Sequence, residues 1–311
     1  MPHPLRSRST RWALLLAALL LAACGRAPEE TTDRPAGPQY ADAPIDSLPL
    51  YRLAVHPLFN PAKLSRAYQP LVDHLNHQVV GARFELEASR DFATYEDKVR
   101  DRQPEILLPN PLQGLMAMKA GYQTIAMAGD AEDFRGIFIV RRDSPLRKPA
   151  DLKGKAIACP ARTALAACMM PQWFLQRSGL DVKRDIETRY VGSQESAILN
   201  AFDGDVAAAA TWPLPWRAFQ KDHPQEAAQL HVIWETPALL NNSVMVRDDV
   251  PAAVRERVRE LLLGLHKSPA GAAILDAMQT ARFYPADDAT YAPVREFVAG
   301  FEREVRPVNQ P

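Results

Sequence analysis

The chain has 311 residues, of which 47 % are apolar and 24 % charged, as is ordinary for a globular protein. Lysine plus arginine and aspartate plus glutamate both number 37, which excludes the basic excess typical of nucleic-acid binding. The length is enough for one large domain or two of medium size, each with its own core.

The N-terminus has the three parts of a secretory signal. Three arginines give a basic start, and the apolar run Trp12–Ala23 is shorter than the roughly 20 residues that cross a bilayer. The run ends in LAAC, residues 21–24, which resembles a bacterial lipobox, whose cysteine is lipidated and becomes the mature N-terminus. We therefore expect residues 1–24 to be a lipoprotein signal peptide with lipid on Cys24. An ordinary signal peptide is the alternative.

Residues 25–47 differ in composition from the rest of the chain. Prolines are spread among threonine, glutamate, aspartate and alanine, and no apolar period is present. This pattern predicts a disordered, proline-rich tether with a reach of about 70 Å at ~3.1 Å per residue. We expect the globular body to lie on the periplasmic side of a bacterial envelope membrane, held by its lipid. The choice between inner and outer membrane stays open.

From residue 50 onward, apolar strand-like runs alternate with amphipathic helical patterns, and the tail is predicted to be helical. This alternation predicts parallel α/β sheets. About ten strands are many for one compact sheet, so we expect two lobes, with ligands at helix N-termini beyond the strand ends. The predicted strands are Leu50–Val55, Arg83–Ala88, Glu105–Leu108, Thr124–Gly129, Gly136–Pro145 with its turn, Ala156–Cys159, Glu187–Gly192, Val206–Ala210, His231–Glu235 and Ser243–Arg247.

Two cysteines remain in the body once Cys24 is set aside. Export places Cys159 and Cys168 in an oxidising compartment, and an even number of cysteines fits one disulfide. Two buried thiols are the alternative, since free cysteine is common in protein cores.

Four segments of the body occur in an order that is specific to one family. They are HPLFNPAKLSRAYQPLVDHL (56–75), DSPLRKPADLKGKAIACPARTA (143–164), YVGSQESAILNAFDGDVAAAA (190–210) and NNSVMVRDDVP (241–251). Together they resemble the substrate-binding proteins of phosphate/phosphite/phosphonate-type ABC transporters. The resemblance covers about residues 50–265.

The resemblance implies a two-lobed periplasmic-binding-protein fold of the second structural type, in which two mixed sheets flanked by helices enclose a cleft. We expect lobe 1 to comprise residues 48–132 and 240–311, and lobe 2 to comprise residues 133–239. The implied protein is a monomer without cofactor or enzymatic activity. It would pass a small anionic ligand, such as a phosphonate, phosphate or phosphite, to an ABC permease.

In the resembling family, hydroxyls at a helix mouth hold the oxyanion. The corresponding bend here, Pro160–Ala164, keeps one hydroxyl on Thr163 and introduces Arg162. An arginine fork can bind a carboxylate, phosphate or sulfonate through two hydrogen bonds. A solvated Arg162 on the rim, with Thr163 as a simple N-cap, is the alternative.

Other positions also depart from the family. The histidine that follows Gly-Ser in the family is Gln194 in this chain. The Ser-Tyr pair of a family loop is replaced by Gln113-Gly114, which follows Asn110. The position of the family's acidic residue falls near Trp212. An aminoalkyl phosphonate therefore fits less well than an anion with an apolar or aromatic part. Trp212 is either a stacking wall for that part or a core residue. The expected ligand-binding residues are Arg162, Thr163, Asn110, Gln113, Ser193, Gln194, Trp212 and Asn60.

Metal and catalytic interpretations have little support in the sequence. His74 and His77 lie on one helix without further ligands, and the Met169-Met170 pair is more typical of a core than of a copper site. Cys159 has no histidine marked as its base. The competing interpretation is an envelope sensory or assembly lipoprotein that uses the same fold to signal to a partner protein.

Overall fold

A computed structural model describes residues 48–308 of the chain. The strands of this part form two separate sheets of six and five strands, each mixed in direction and flanked by helices. The expected α/β fold class is thus confirmed. The predicted signal peptide, Cys24 and the tether lie outside the described residues. Every helix between residues 48 and 308 is too short or too polar to span a bilayer.

The first sheet contains the first and the last strands of the described chain. Its strands are β1 (Leu50–Val55), β2 (Arg83–Glu87), β3 (Ile106–Leu108), β4 (Tyr122–Ala128), β10 (Ser243–Arg247) and β11 (Phe283–Pro285). They follow the order β11-β4-β10-β3-β1-β2, in which β10 runs antiparallel to both of its neighbours. The accompanying helices are α1 (Pro61–Gln78), α2 (Phe92–Arg100), α3 (Pro111–Lys119), α9 (Ala252–Gly264) and α10 (Pro269–Ala277). We call these elements the first half.

The second sheet is built from the middle of the chain. Its strands are β5 (Ile137–Arg141), β6 (Lys155–Cys159), β7 (Ile186–Tyr190), β8 (Ala208–Thr211) and β9 (Leu230–Glu235), in the order β7-β6-β8-β5-β9. A π-helical turn at Leu165–Met169 leads into α4 (Met170–Arg177). The other helices are α5 (Val182–Asp185), α6 (Gln194–Asp203), α7 (Pro213–Asp222) and α8 (Pro224–Ala227). We call these elements the second half.

The chain passes between the two sheets at residues 129–136 and again at residues 236–242. The expected lobe boundaries at 132/133 and 239/240 fall within these two connections. The division into two lobes at these boundaries stays a prediction.

Strand β11 corrects the expectation that the tail is entirely helical. Its three residues pair antiparallel with β4, with Phe283 opposite Ala128. A segment this short cannot show an alternating pattern in the sequence. Its extended conformation follows from the pairing with β4 and from the burial of Phe283, which are both tertiary effects.

The C-terminal helix α11 (Ala292–Glu304) contacts both halves of the molecule, through α3 and α4. On the second half, the rings of Trp173 and Phe297 lie 4.4 Å apart, and Trp173 Nε1 donates to Glu304 Oε2 at 3.0 Å. On the first half, Arg295 Nη2 lies 3.3 Å from Met118 Sδ. This helix therefore joins the halves in addition to the two connecting segments.

One apolar core extends without interruption from the first sheet to the second. Phe92 and Leu112 of the first half pack in the same buried cluster as Leu165 and Trp212 of the second. Because apolar surface is removed from water along this contact, its burial holds the halves together.

Substituting Gly300→Ala tests the packing of α11. A Cβ at this position would lie 2.8 Å from Trp173 Cη2, so the helix or the indole must shift. We expect the free energy of unfolding, measured by urea denaturation, to fall by about 1–3 kcal/mol. Gly264→Ala is the matched control, because its Cβ would meet nothing within 4 Å. An equal effect of both substitutions would contradict the tight contact.

Candidate functional site

The two halves meet where loops after β1 and β3 contact loops after β6, β7 and β8. We call this contact the seam. Asn110 Nδ2, after β3, donates to Thr163 O, after β6, at 3.2 Å. Lys63 of α1 forms an ion pair with Asp222 of α7 elsewhere along the seam. The seam therefore gathers helix N-termini at the carboxyl ends of strands from both sheets, where α/β proteins commonly bind ligands.

Arg162 and Thr163 line an open groove of about 1040 Å³ along the seam. The groove lies between α2 and α3 of the first half and the Pro160–Thr163 bend of the second. The Arg162 guanidinium carbon is 5.5 Å from the centre of the Tyr190 ring, and the Arg162 carbonyl accepts from Arg306 Nη2 at 2.7 Å. The bend thus faces the first half and is held from behind by a buried arginine.

Thr163 uses its hydroxyl across the seam rather than as a helix cap. Its Oγ1 donates to Glu96 Oε1 at 2.5 Å, and the N-cap position of the following π-helical turn belongs to Ala164. The same Glu96 oxygen accepts from Gln113 Nε2 at 3.1 Å. One carboxylate oxygen of α2 therefore joins the bend to the first turn of α3.

Asn110 and Gln113 form the capping box of α3. Asn110 Oδ1 accepts from Gln113 N at 3.0 Å, and Gln113 Oε1 accepts from Asn110 N at 3.2 Å. Both side chains are buried. Because Gln113 also donates to Glu96, the helix start and the seam share one hydrogen-bond network.

Glu96 is a polar residue of the seam that sequence reasoning missed. It lies four residues after Phe92 and three before Val99, which are both buried, so it projects from the apolar face of α2. An acidic residue on an apolar helix face was the available signal. Burial raises the pKa of the Glu96 carboxyl, and the hydrogen bonds from Thr163 and Gln113 oppose this rise.

Asn60, Ser193 and Gln194 line a second, smaller cavity of about 40 Å³, which we call the rim cavity. Asn60 Oδ1 accepts from Lys63 N at 2.9 Å, and Ser193 Oγ accepts from the backbone of α6 at 3.0 Å, so both cap helices. Gln194 Oε1 accepts from Thr211 Oγ1 at 2.8 Å. These three residues therefore lie apart from Arg162 and Thr163, on another stretch of the seam.

Trp212 lies in the core, the second of the two alternatives considered for it. It is 3 % exposed, and its ring centre is 5.3 Å from that of Phe134. It occupies the N-cap position of α7 without a side-chain hydrogen bond to the helix.

Gly114 lies where α3 packs closely against the first sheet. A Cβ on Gly114 would lie 2.9 Å from Ser243 Oγ of β10. Helix α3 therefore lies close on the first sheet, and a side chain at this position, where the resembling family has a tyrosine, would require the Ser243 hydroxyl to move.

Comparison with known proteins identifies the family to which this chain belongs. The family model of the periplasmic substrate-binding proteins of phosphonate ABC transporters matches residues 53–291. The chain belongs to this family. The family resemblance drawn from the four segments is confirmed, and because its members are solute-binding proteins, so is the absence of an enzymatic role.

Solved structures of other binding proteins share the fold of this phosphonate-family protein. A binding-protein component of an ABC phosphonate transporter from Pseudomonas aeruginosa has a TM-score of 0.76 at 16 % identity, covering 83 % of this chain and 88 % of its own. PhnD1 from Prochlorococcus marinus, in complex with methylphosphonate, has a TM-score of 0.75 at 18 % identity, with coverages of 82 % and 98 %. The alkanesulfonate-binding protein SsuA from Xanthomonas axonopodis pv. citri, bound to MOPS, scores 0.59 at 17 % identity, with coverages of 82 % and 92 %.

Cys159 and Cys168, the two cysteines among residues 48–308 of this phosphonate-family protein, are fully buried free thiols in the structure. Burial and the neighbouring Cys168 raise the pKa of the Cys159 thiol well above its usual value, which disfavours the reactive thiolate. The structure thus has the buried-thiol arrangement, while a disulfide between the pair in the oxidised protein stays a prediction.

Metal-binding side chains do not cluster in the described part of this binding protein. Between residues 48 and 308, no group of three or more histidine, cysteine, aspartate or glutamate side chains is arranged to hold a metal ion. On α1, His77 Nδ1 lies 2.6 Å from Asp73 O.

His56 follows β1 at the seam and is buried. Its Nδ1 lies 3.0 Å from Leu108 O, and burial lowers the pKa of the imidazole from 6.5 to about 4. The neutral form therefore predominates in the folded protein at neutral pH.

The buried His56 predicts a loss of stability in mild acid. Below pH 6.5, the unfolded histidine binds a proton that the folded one does not, so the free energy of unfolding falls as the pH approaches 4. Between pH 6.5 and pH 4, we expect the free energy of unfolding of wild type to fall by roughly 3 kcal/mol more than that of His56→Gln. His266→Gln, at an exposed position, is the control and should follow wild type in urea titrations. Parallel curves for all three proteins would exclude the assignment to His56.

Proposed function

We propose that the protein is a monomeric, lipid-anchored solute-binding protein that captures a small oxyanion, phosphonate-, phosphate- or phosphite-like, at the seam for an ABC transporter. The observation that carries this proposal is the meeting of helix N-termini from both sheets at the seam. Helices α3 and α6 begin there, after β3 and β7, and the Pro160–Thr163 bend leads into the helical segment after β6. Each helix start offers partial positive charge to an anion.

The ligands of two structural neighbours support an oxyanion. Methylphosphonate and MOPS, bound to PhnD1 and SsuA respectively, both carry a tetrahedral oxyanion. In this chain, Arg162 adds a full positive charge beside Thr163 at the groove. An arginine fork hydrogen-bonds two such oxygens at once, which fits phosphonate and sulfonate groups alike.

Arg162→Ala tests the proposed ligand contact. Isothermal titration calorimetry with methylphosphonate should show binding weakened by about 1.5–3 kcal/mol, the usual value of a hydrogen bond to a charged group. Arg184→Ala is the control, because it removes the same charge from an arginine whose side chain is 81 % exposed and paired with Asp181. Equal affinities of the two variants for methylphosphonate would show that Arg162 does not contact the ligand. Failure of ligand-stripped wild type to bind phosphonates, phosphite, phosphate or sulfonates would reject the oxyanion itself.

Lipid anchoring rests on the LAAC sequence that ends at Cys24. Cys24→Ser removes the thiol to which the lipid would be attached, so we expect the protein to move from the membrane to the soluble fraction of a bacterial lysate. Gly25→Ala is the control and should stay with the membrane. Retention of Cys24→Ser in the membrane, with an unmodified N-terminal peptide by mass spectrometry, would contradict the anchor.

A second candidate function is that of an envelope sensory or assembly lipoprotein. The apolar core across the seam and the contacts of α11 with both halves favour it, because they oppose the opening that ligand exchange requires. The calorimetric titration separates the two functions, since a protein of this kind would bind none of the oxyanions.

A further inference from the structure

Glu96 contributes a carboxylate to the place where the proposed function puts the ligand. Its Oε1 accepts hydrogen bonds from Thr163 Oγ1 at 2.5 Å and Gln113 Nε2 at 3.1 Å. Those donors belong to opposite halves of the molecule, the bend after β6 and the first turn of α3. A carboxylate oxygen between a hydroxyl and an amide near helix starts is chemically equivalent to one oxygen of a bound oxyanion.

The charges around Glu96 are mixed. On its own helix it faces Arg100 and Asp97, and these form an ion pair with each other at 2.6 Å. Lys119 of α3, Asp91 ahead of α2, and Arg162 and Tyr190 of the second half line the same groove. No ion pair with Glu96 is formed by the residues described, 48–308, whereas Thr163 and Gln113 both donate to it. Neutral donors therefore hold this carboxylate, as they would hold an oxyanion.

We propose that Glu96 is a specificity-determining residue that acts as a tethered competitor, its carboxylate taking the oxyanion position between Thr163 and Gln113. This inference rests on the proposed oxyanion-binding function. A ligand anion must displace Glu96 from these donors, and its apparent affinity is reduced by the fraction of molecules in which Glu96 holds them. Attached side chains compete at effective concentrations on the order of millimolar, so weakly binding anions are excluded.

Glu96 also selects among anions by charge. An oxyanion placed at Thr163 while the carboxylate stays nearby meets like-charge repulsion in a partly desolvated site. The repulsion grows with the charge of the ligand, so it disfavours a doubly charged phosphonate more than a singly charged sulfonate. The structure therefore assigns to Glu96 a preference for singly charged oxyanions.

Glu96→Gln and Glu96→Ala test this proposal at two levels. The glutamine keeps an acceptor oxygen for Thr163 but removes the charge, and the alanine removes the competitor entirely. In calorimetric titrations at pH 7.5, we expect methylphosphonate to bind at least about tenfold more tightly to Glu96→Gln than to wild type, and at least as tightly to Glu96→Ala. The affinity for methanesulfonate should rise less than the affinity for methylphosphonate when Glu96→Gln removes the charge.

Asp97→Asn is the matched control. It removes the same charge one residue further along α2, from a side chain that is 63 % exposed. We expect its affinities to stay within about twofold of wild type, since exposed charges interact weakly through water. Thermal unfolding of each variant verifies that it is folded. If Glu96→Ala does not fold, the isosteric Glu96→Gln decides the outcome alone.

The outcomes separate the two proposals. Equal methylphosphonate affinity of wild type and Glu96→Gln, or weaker binding by the variant, overturns the competitor role and leaves the oxyanion function standing. Binding of methylphosphonate by wild type, together with binding by Glu96→Gln at lower concentrations of the same anion, supports both. An absence of binding by wild type and both variants, with either anion, overturns the oxyanion function and the competitor role together. If Asp97→Asn raises the affinity for methylphosphonate as much as Glu96→Gln does, the effect comes from the net charge of the protein. This result would also overturn the role of Glu96.

Discussion

Burial of apolar side chains along the seam is the constraint on which the rest of the molecule depends. Phe92 and Leu112 from the first half and Leu165 and Trp212 from the second share one buried core, so this part of the contact between halves excludes water. Polar groups within that contact must then hydrogen-bond one another, because burying them unpaired is costly. The capping box of α3 and its links to Glu96 and the bend are the result.

This arrangement divides the polar part of the seam into separate regions. One is the groove beside Arg162, and another is the rim cavity beside the Lys63–Asp222 ion pair. Helix α11 makes a further tie between halves, and Arg306, just beyond its end, hydrogen-bonds the carbonyl of the bend. The conformation of the bend is thus coupled to the C-terminal segment as well as to α2 and α3. Motion of one half relative to the other would act on all of these contacts.

The regular elements could be predicted because their patterns are local. Strands such as β1 are encoded within a few residues, and the family resemblance supplied the two-sheet fold. Strand β11 could not be found in this way, since its extended form depends on pairing with β4. Nor could the roles of the seam residues be found, because hydrogen bonds such as that of Thr163 to Glu96 join positions 67 residues apart. A single sequence identifies donors and acceptors but not their partners.

The close approach at Gly114 makes two positions of the chain interdependent. A side chain at this position would place its Cβ 2.9 Å from Ser243 Oγ, so either the serine hydroxyl must turn away or α3 must move from β10. Residues that share a contact in this way do not change independently. The identity of residue 243 therefore decides how much strain a larger residue at position 114 introduces.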